Sequence, residues 1–280
     1  MIYFFIFILG LAIGSFLDVL IDRIPRGESI LGRSHCEYCK KQLHWYELIP
    51  LFSFIIQGGK SRCCRKKLSL QYPLVEIVTG GLFVIAIVIP SDTGFLIGSL
   101  DALRLLGMTI KEALRLLGMI IKFGIISCLI VVFFTDLKYQ IIPDSIQVAL
   151  FIFVLLFSAI SYKLQVTNNY LLLITNYLFS GFIVMAPILL LWLVTKGRGM
   201  GFGDVKLAFT MGVLLGIKGG LMALYIAFVT GAVTGVILLI GKKKGLKSKI
   251  AFGPFLVIGT VIVLFYGGKL MEIFRKIYGV

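Results

Sequence analysis

The chain is expected to be an all-α, polytopic membrane protein of about eight transmembrane helices with a small cytoplasmic cysteine-containing domain. Three observations predict this. Hydrophobic residues make up 59% of the 280 positions and charged residues only 15%, more apolar surface than one soluble core would bury. The apolar residues recur in blocks that approach the ~20 residues needed to cross a bilayer as helix. The basic residues gather in alternate loops, as they do in multi-pass proteins.

The apolar blocks are 2–20, 74–90, 122–135, 145–162, 170–195, 205–217, 220–241 and 251–267, each read as a helix because only helices and closed barrels satisfy their backbone within lipid. The loops 21–73, 136–144, 196–206 and 242–250 hold 10, 1, 3 and 5 Lys and Arg, 19 of the chain's 28. Basic loops stay cytoplasmic, so the N-terminus is expected outside. The first block has no basic region before it and no small-residue cleavage site before Asp18, Asp22 and Arg23, and is read as a retained anchor. The net charge of +15 is assigned to topology and to anionic membrane lipids. No motif for binding nucleic acid is present, and none is expected as a partner. The expected organisation is a first transmembrane helix at 1–20, a cytoplasmic domain at 21–73 and a membrane domain at 74–280 that includes an outer amphipathic segment at 98–121.

The 21–73 loop carries Cys36-Glu-Tyr-Cys39 and Cys63-Cys64. Four cysteines in one cytoplasmic loop point to a structural metal, because that compartment disfavours disulfides and Zn²⁺ takes four thiolates tetrahedrally. The first pair has the usual two-residue spacing; the adjacent second pair does not, which makes Cys63 a doubtful fourth ligand. His35 and His44 are replacement candidates, and Cys128, inside an apolar block, is read as a packing residue. Residues 102–108 and 113–119 repeat ALRLLGM at a period of 11. That period, about three helical turns, puts Arg104 and Arg115 on one face with Lys111, Glu112 and Lys122 nearby. The segment is expected to lie on the outer membrane surface or to extend the third span.

Two acids stand at span boundaries: Asp136 in FFTDLKYQIIPD and Asp204 in GMGFGDVK. Ionisable groups at that depth are costly, so each is a functional candidate. Two carboxylates brought together share one proton, so that one activates water and the other donates to a carbonyl. Asp136 ends its span, at the negative helix terminus, and Asp204 opens its own, at the positive one. The dipoles therefore predict that Asp136 holds the shared proton and Asp204 is the base. Lys138 and Lys206 are read as snorkelling to headgroups. Gly201 and Gly203 are expected to let a substrate backbone approach closely.

The segments GLAIGSFLDVLIDRIPRGESI (10–30), LSLQYPLVE (68–76), DLKYQIIPD (136–144), GMGFGDVK (199–206) and FGPFL (252–256) together resemble the type IV prepilin peptidases, GxGD-type membrane aspartyl proteases that also methylate their product. The resemblance implies that Asp136 and Asp204 are catalytic. It further implies that the substrates are type IV prepilin or pseudopilin precursors, whose basic leader is cut on the cytoplasmic side. It implies S-adenosylmethionine as methyl donor, the 21–73 loop as the methyltransferase part, and proteolysis that needs no cofactor. Ser61 stands where the family carries the first cysteine of its second pair, leaving Cys36, Cys39 and Cys64 at matching positions. Asp18 stands where the family commonly carries asparagine, and Glu76 is read as an intramembrane packing or hydrogen-bonding residue. A preflagellin-type peptidase without methylation and an ion-coupled transporter are the rival readings.

Overall fold

The computed structural model describes residues 1–89, 110–165, 170–197, 199–241 and 251–278, and the described residues are helical with connecting turns. They fall into two compact units, Met1–Val88 and Ile89–Val280.

In the first unit, α1 (Ile2–Arg23) and α3 (Gln71–Val88) pack against one another. Small residues permit the contact, since a Cβ on Gly10 would lie 2.6 Å from the Gly80 Cα and one on Gly14 would lie 2.7 Å from the Glu76 Cα. This is the small-residue seam by which helices associate where water supplies no driving force. Between them lie a 3₁₀ turn, Trp45–Leu48, the short α2, Phe52–Ile56, and the cysteine-bearing turns.

The second unit contains α4 (Ile110–Tyr139), α5 (Asp144–Gln165), α6 (Tyr170–Thr195), α7 (Phe202–Ile240) and α8 (Gly253–Tyr278). Helices α4, α5, α7 and α8 pack in a closed ring, α4 on α5, α5 on α7, α7 on α8 and α8 on α4, and α6 lies against α7. Six helices among the described residues are long and apolar enough to cross a membrane, and Asp144–Ile160 is a shorter apolar helix. The blocks read as 205–217 and 220–241 are consecutive parts of α7. Its 39 residues would reach about 58 Å at 1.5 Å per residue, roughly twice a bilayer's hydrocarbon. The helix is broken at Gly216, where φ is 71° and ψ −179°, so the eight apolar blocks of the sequence all appear as helical segments.

The first copy of the repeat, 102–108, and the whole of 98–109 lie outside the described residues. The second copy belongs to α4, so the described part of the segment extends the third span. Lys122, placed on the amphipathic surface by the sequence pattern, is instead buried, its ammonium 5.0 Å from the centre of the Phe265 ring. The pattern missed this because it considers only α4's own faces, and α8 covers one of them.

The Gly216 backbone lies in a region reserved for glycine. Gly216→Ala should cost about 1–3 kcal/mol and lower the thermal unfolding midpoint in detergent. Gly235→Ala, in the same helix with nothing within 4 Å of the added carbon, should leave the midpoint almost unchanged.

Candidate active site

Helix α4 ends where Gln140 takes a left-handed φ of 54° and its N–H donates to the Asp136 carbonyl at 2.9 Å. Pro143 cannot continue a helix but suits the entry to one, so α5 starts directly behind it at Asp144. The chain between carries Ile142 into a tight position. A Cβ on Gly203 would meet the Ile142 Cβ at 3.1 Å, and one on Gly253 would meet its Cδ1 at 3.2 Å. Ile142 is thus wedged against the first turns of both α7 and α8, and this accounts for glycine at position 203 through internal packing. At Gly201 the added carbon would have room, its nearest neighbour being Asp204 Oδ2 at 3.6 Å.

Both acids are buried, each 6% exposed, and each is held by a backbone N–H at a helix N-terminus. The Gly201 N–H donates to Asp204 Oδ2 at 3.2 Å and the Asp204 N–H returns to the Gly201 carbonyl at 3.2 Å, the acid at the third helical position reaching back over the cap. The N–H of Gly253, the first residue of α8, donates to Asp136 Oδ2 at 2.9 Å. Asp136 therefore ends its own helix but faces the positive end of another. The dipole contrast drawn from the sequence considered α4 alone and misses this contact, which joins residues 117 positions apart. Asp204 Oδ1 is buried without a protein partner.

The two acids line one cavity of about 500 Å³, together with Ile142, Met200, Phe202 and Lys206. They are near enough for the charge of Asp136 to act on Asp204. Gln147 of α5 is buried and donates from Nε2 to the Gly203 carbonyl at 2.7 Å, tying the glycine-rich turn to α5. The same turn is closed on its other side by the rings of Trp192 and Phe202, 5.3 Å apart. Lys206 does not snorkel freely: its Nζ pairs with Asp144 Oδ1 at 2.6 Å. That partner comes from the last residue of the DLKYQIIPD segment, 62 positions away.

The first unit holds the cysteines. The sulfurs of Cys36, Cys39, Cys63 and Cys64 lie within 4.8 Å of one another, and Cys36 and Cys64 are 3.8 Å apart. That distance is the edge of a tetrahedron whose centre lies ~2.3 Å from each sulfur; Cys39 and Cys63 are closer, 2.9 Å apart, and would move apart on holding an ion, so the donor set suits Zn²⁺ in its chemistry and convergence. Two similar turns build the cluster. In one the Cys36 N–H reaches the Lys41 carbonyl, the Lys40 N–H returns to Cys36, and Lys40 has a φ of 57°. In the other the Ser61 N–H reaches the Lys66 carbonyl, the Arg65 N–H returns to Ser61, and Arg65 has a φ of 55°. Ser61 thus occupies the place that Cys36 has in the first turn, while Cys63 brings in the remaining thiol. The Ser61 hydroxyl lies 2.9 Å from Cys63 Sγ and 3.4 Å from Cys36 Sγ. His35 and His44 are not among the residues that converge.

Burial pushes the Cys36 thiol up, but hydrogen bonds from the Ser61 hydroxyl and from the Cys39 and Tyr38 backbone outweigh it and hold the thiol at about 6. Contact with Cys39, above all, pushes Cys63 up to about 12. Cys36 is thus biased toward thiolate and Cys63 toward thiol, so binding of a metal by all four sulfurs at pH 7 expels a proton.

A helical membrane protein that buries two carboxylates on one cavity has the arrangement expected of a membrane aspartyl peptidase. The chain is a member of the type IV leader peptidase family. The model of that family matches residues 123–236, and that of the bacterial peptidase A24 N-terminal domain matches residues 8–89. Similar proteins include one from Bacillus subtilis (strain 168), named prepilin leader peptidase/N-methyltransferase, 30% identical over 272 residues, with 97% of each chain covered. A protein of the same name from Xanthomonas campestris pv. campestris is 29% identical, covering 97% of this chain and 93% of its own. Another from Myxococcus xanthus (strain DK1622) is 32% identical, covering 84% of this chain and 63% of its own. No solved structure matches the chain.

Two outcomes follow. Gly253→Ala would drive a methyl group to 2.6 Å from Asp136 Oδ2, and should slow substrate cleavage by about 10²-fold or more. Gly231→Ala, whose nearest contact would be 3.5 Å, should cleave normally in the same gel assay. At the cysteines, zinc titration at pH 7 should release protons measurable with an indicator dye, and Cys63→Ser should release fewer and bind zinc at least about tenfold more weakly.

Proposed function

We propose that this protein is a membrane aspartyl endopeptidase that removes the basic leader of type IV prepilin-like precursors and then N-methylates the new amino terminus. The observation that carries the reading is the pair of buried acids from α4 and α7 on one cavity, each aligned by a backbone N–H from Gly253 or Gly201.

With both Oδ2 atoms held by N–H donors, the remaining oxygens face the chemistry. The ionised member of the pair takes the proton of a water, which attacks the scissile carbonyl carbon, while the other, carrying the shared proton, donates it to the carbonyl oxygen. Collapse of the tetrahedral species breaks the C–N bond: the proton gained from water passes to the leaving amine, and a hydroxyl of the tetrahedral species returns its proton to the partner acid. The new amine is the acceptor of the methyl group, which S-adenosylmethionine supplies when bound.

The precursor's apolar helix would lie in the membrane with its basic leader on the cytoplasmic side, and the basic loops support placing the catalytic pair there in a bacterial inner membrane. The match of the N-terminal domain model to 8–89 and the four converging cysteines favour the bifunctional enzyme over a peptidase that does not methylate. Division of labour follows the chain: residues 21–73 with their flanking helices for methylation, and the second unit for cleavage. Zn²⁺ at Cys36, Cys39, Cys63 and Cys64 would have a structural role, bracing a loop with few large aliphatics.

Purified protein incubated with a prepilin and S-adenosylmethionine should yield, by mass spectrometry, a pilin that has lost its leader and gained one methyl. Asp136→Asn and Asp204→Asn should each cut cleavage by about 10²–10⁴-fold; full cleavage by either would overturn the mechanism.

A further inference from the structure

Helix α2 is inside out for a segment that meets water. Phe52, Ile55 and Ile56, at the i, i+3 and i+4 spacing of one helix face, point outward and are 65, 72 and 70% exposed. Ser53 and Gln57 instead line the cavity that the Met1–Val88 unit encloses between α1, α2 and α3. Leu48 and Ile49, just before α2, are exposed as well. Large apolar side chains gathered on one outer face mark an interaction surface.

Two contacts set the level of this segment against the spans. The Leu51 N–H, at the start of α2, donates to Oε2 of the buried Glu76 at 2.8 Å. Glu76 is the sixth residue of α3, about 7.5 Å along that helix at 1.5 Å per residue. A Cβ on Gly14 of α1 would lie 2.7 Å from the Glu76 Cα, and Gly14 stands about 13 Å before the Arg23 end of α1 by the same rise. Both helices are long and apolar enough to cross a membrane. The residue that holds α2 therefore lies within the depth of the two spans and not beyond their ends.

The rim of the face suits lipid headgroups. Residues 21–73 carry ten Lys and Arg against four Asp and Glu. Lys60 and Arg62 follow α2, and they and Lys40, Lys41, Lys66 and Lys67 are exposed. Basic side chains near a bilayer attract its anionic lipids. Trp45, 77% exposed, and Tyr46 precede the segment, and such rings favour the boundary between acyl chains and water.

We propose that residues 50–56 form an in-plane membrane segment. Helix α2 lies in the leaflet beside α1 and α3, with Phe52, Ile55 and Ile56 among the acyl chains and Trp45, Tyr46 and the surrounding cations at anionic headgroups. Lipid is the occupant, and not a soluble protein, because a carboxylate on a spanning helix holds α2 at membrane depth. The cysteine-bearing turns flank α2 in the chain, so the segment fixes their height at the bilayer surface. The inference needs no enzymatic activity.

Fluorescence quenching in lipid nanodiscs tests this on the full-length protein. With Trp45→Phe and Trp192→Phe removing both native tryptophans, Ile55→Trp supplies one indole on the outer face, and Ile56→Trp supplies it should the first variant fail to fold. The discs contain phosphatidylglycerol and phosphatidylcholine, with the latter brominated along its acyl chains or left unbrominated. Bromination should lower the emission about twofold or more, since an interfacial face sits about 5–10 Å into the leaflet. Acrylamide in the water should quench it severalfold less than it quenches free tryptophan. In Trp192→Phe alone, the native Trp45 should respond to bromine in the same direction and less strongly. Strong acrylamide quenching with no effect of bromine would mean that the face meets water, and overturns the proposal. Protection from both quenchers would mean that protein covers it, a second copy or another partner, and overturns it too.

Discussion

The second unit depends on one constraint: two carboxylates are buried on one cavity in a helical membrane bundle. A lone carboxylate there carries a heavy desolvation cost, and a second of like charge adds to it. Two N–H groups at helix N-termini, those of Gly201 and Gly253, offset the cost, because they are donors that no intrahelical carbonyl uses. The ring of α4, α5, α7 and α8 delivers those two helix starts to the two acids. Ile142 presses against both starts, Gln147 ties the Gly203 carbonyl to α5, and the Trp192 and Phe202 rings close the glycine-rich turn. Each of these contacts limits where the carboxylates can move, and two-carboxylate catalysis depends on such alignment.

Much of this was legible in the sequence. Apolar blocks report spans directly because lipid requires them, and an acid at the edge of such a block stands out against the cost of placing it there. Asp136 and Asp204 stood out in that way, and the cysteine cluster stood out because four thiols fall in one polar loop. What stayed hidden was the set of contacts that cross the chain without any periodic pattern. FGPFL could be matched as a segment, but nothing local says that the Gly253 N–H serves an acid 117 residues earlier. Lys206 looked like a headgroup anchor because its partner, Asp144, lies on another helix, and Lys122 looked exposed because its cover, Phe265, does too. Gly201 and Gly203 had been given one role; Ile142 now explains the second without a substrate, while the first retains open space beside Asp204.

The cysteine cluster shows how a ligand set can shift while its scaffold persists. The two turns around Cys36 and Ser61 share their hydrogen-bond pattern and a left-handed residue four positions on. The serine keeps the backbone role, and its hydroxyl lies within hydrogen-bond reach of the Cys36 and Cys63 sulfurs. Cys63, two residues later, restores the fourth sulfur. The spacing C-x-x-C encodes the turn, and the turn can survive when the thiol moves.

The central claim is that the pair activates water directly, and isotope labelling tests it most closely. In a single turnover with enzyme in excess in H₂¹⁸O, water attack predicts one ¹⁸O atom in the new carboxylate of the released leader and none in the protein. Appearance of ¹⁸O in the peptide bearing Asp136 or Asp204 would mean that an aspartate had attacked the substrate covalently, and would contradict the account.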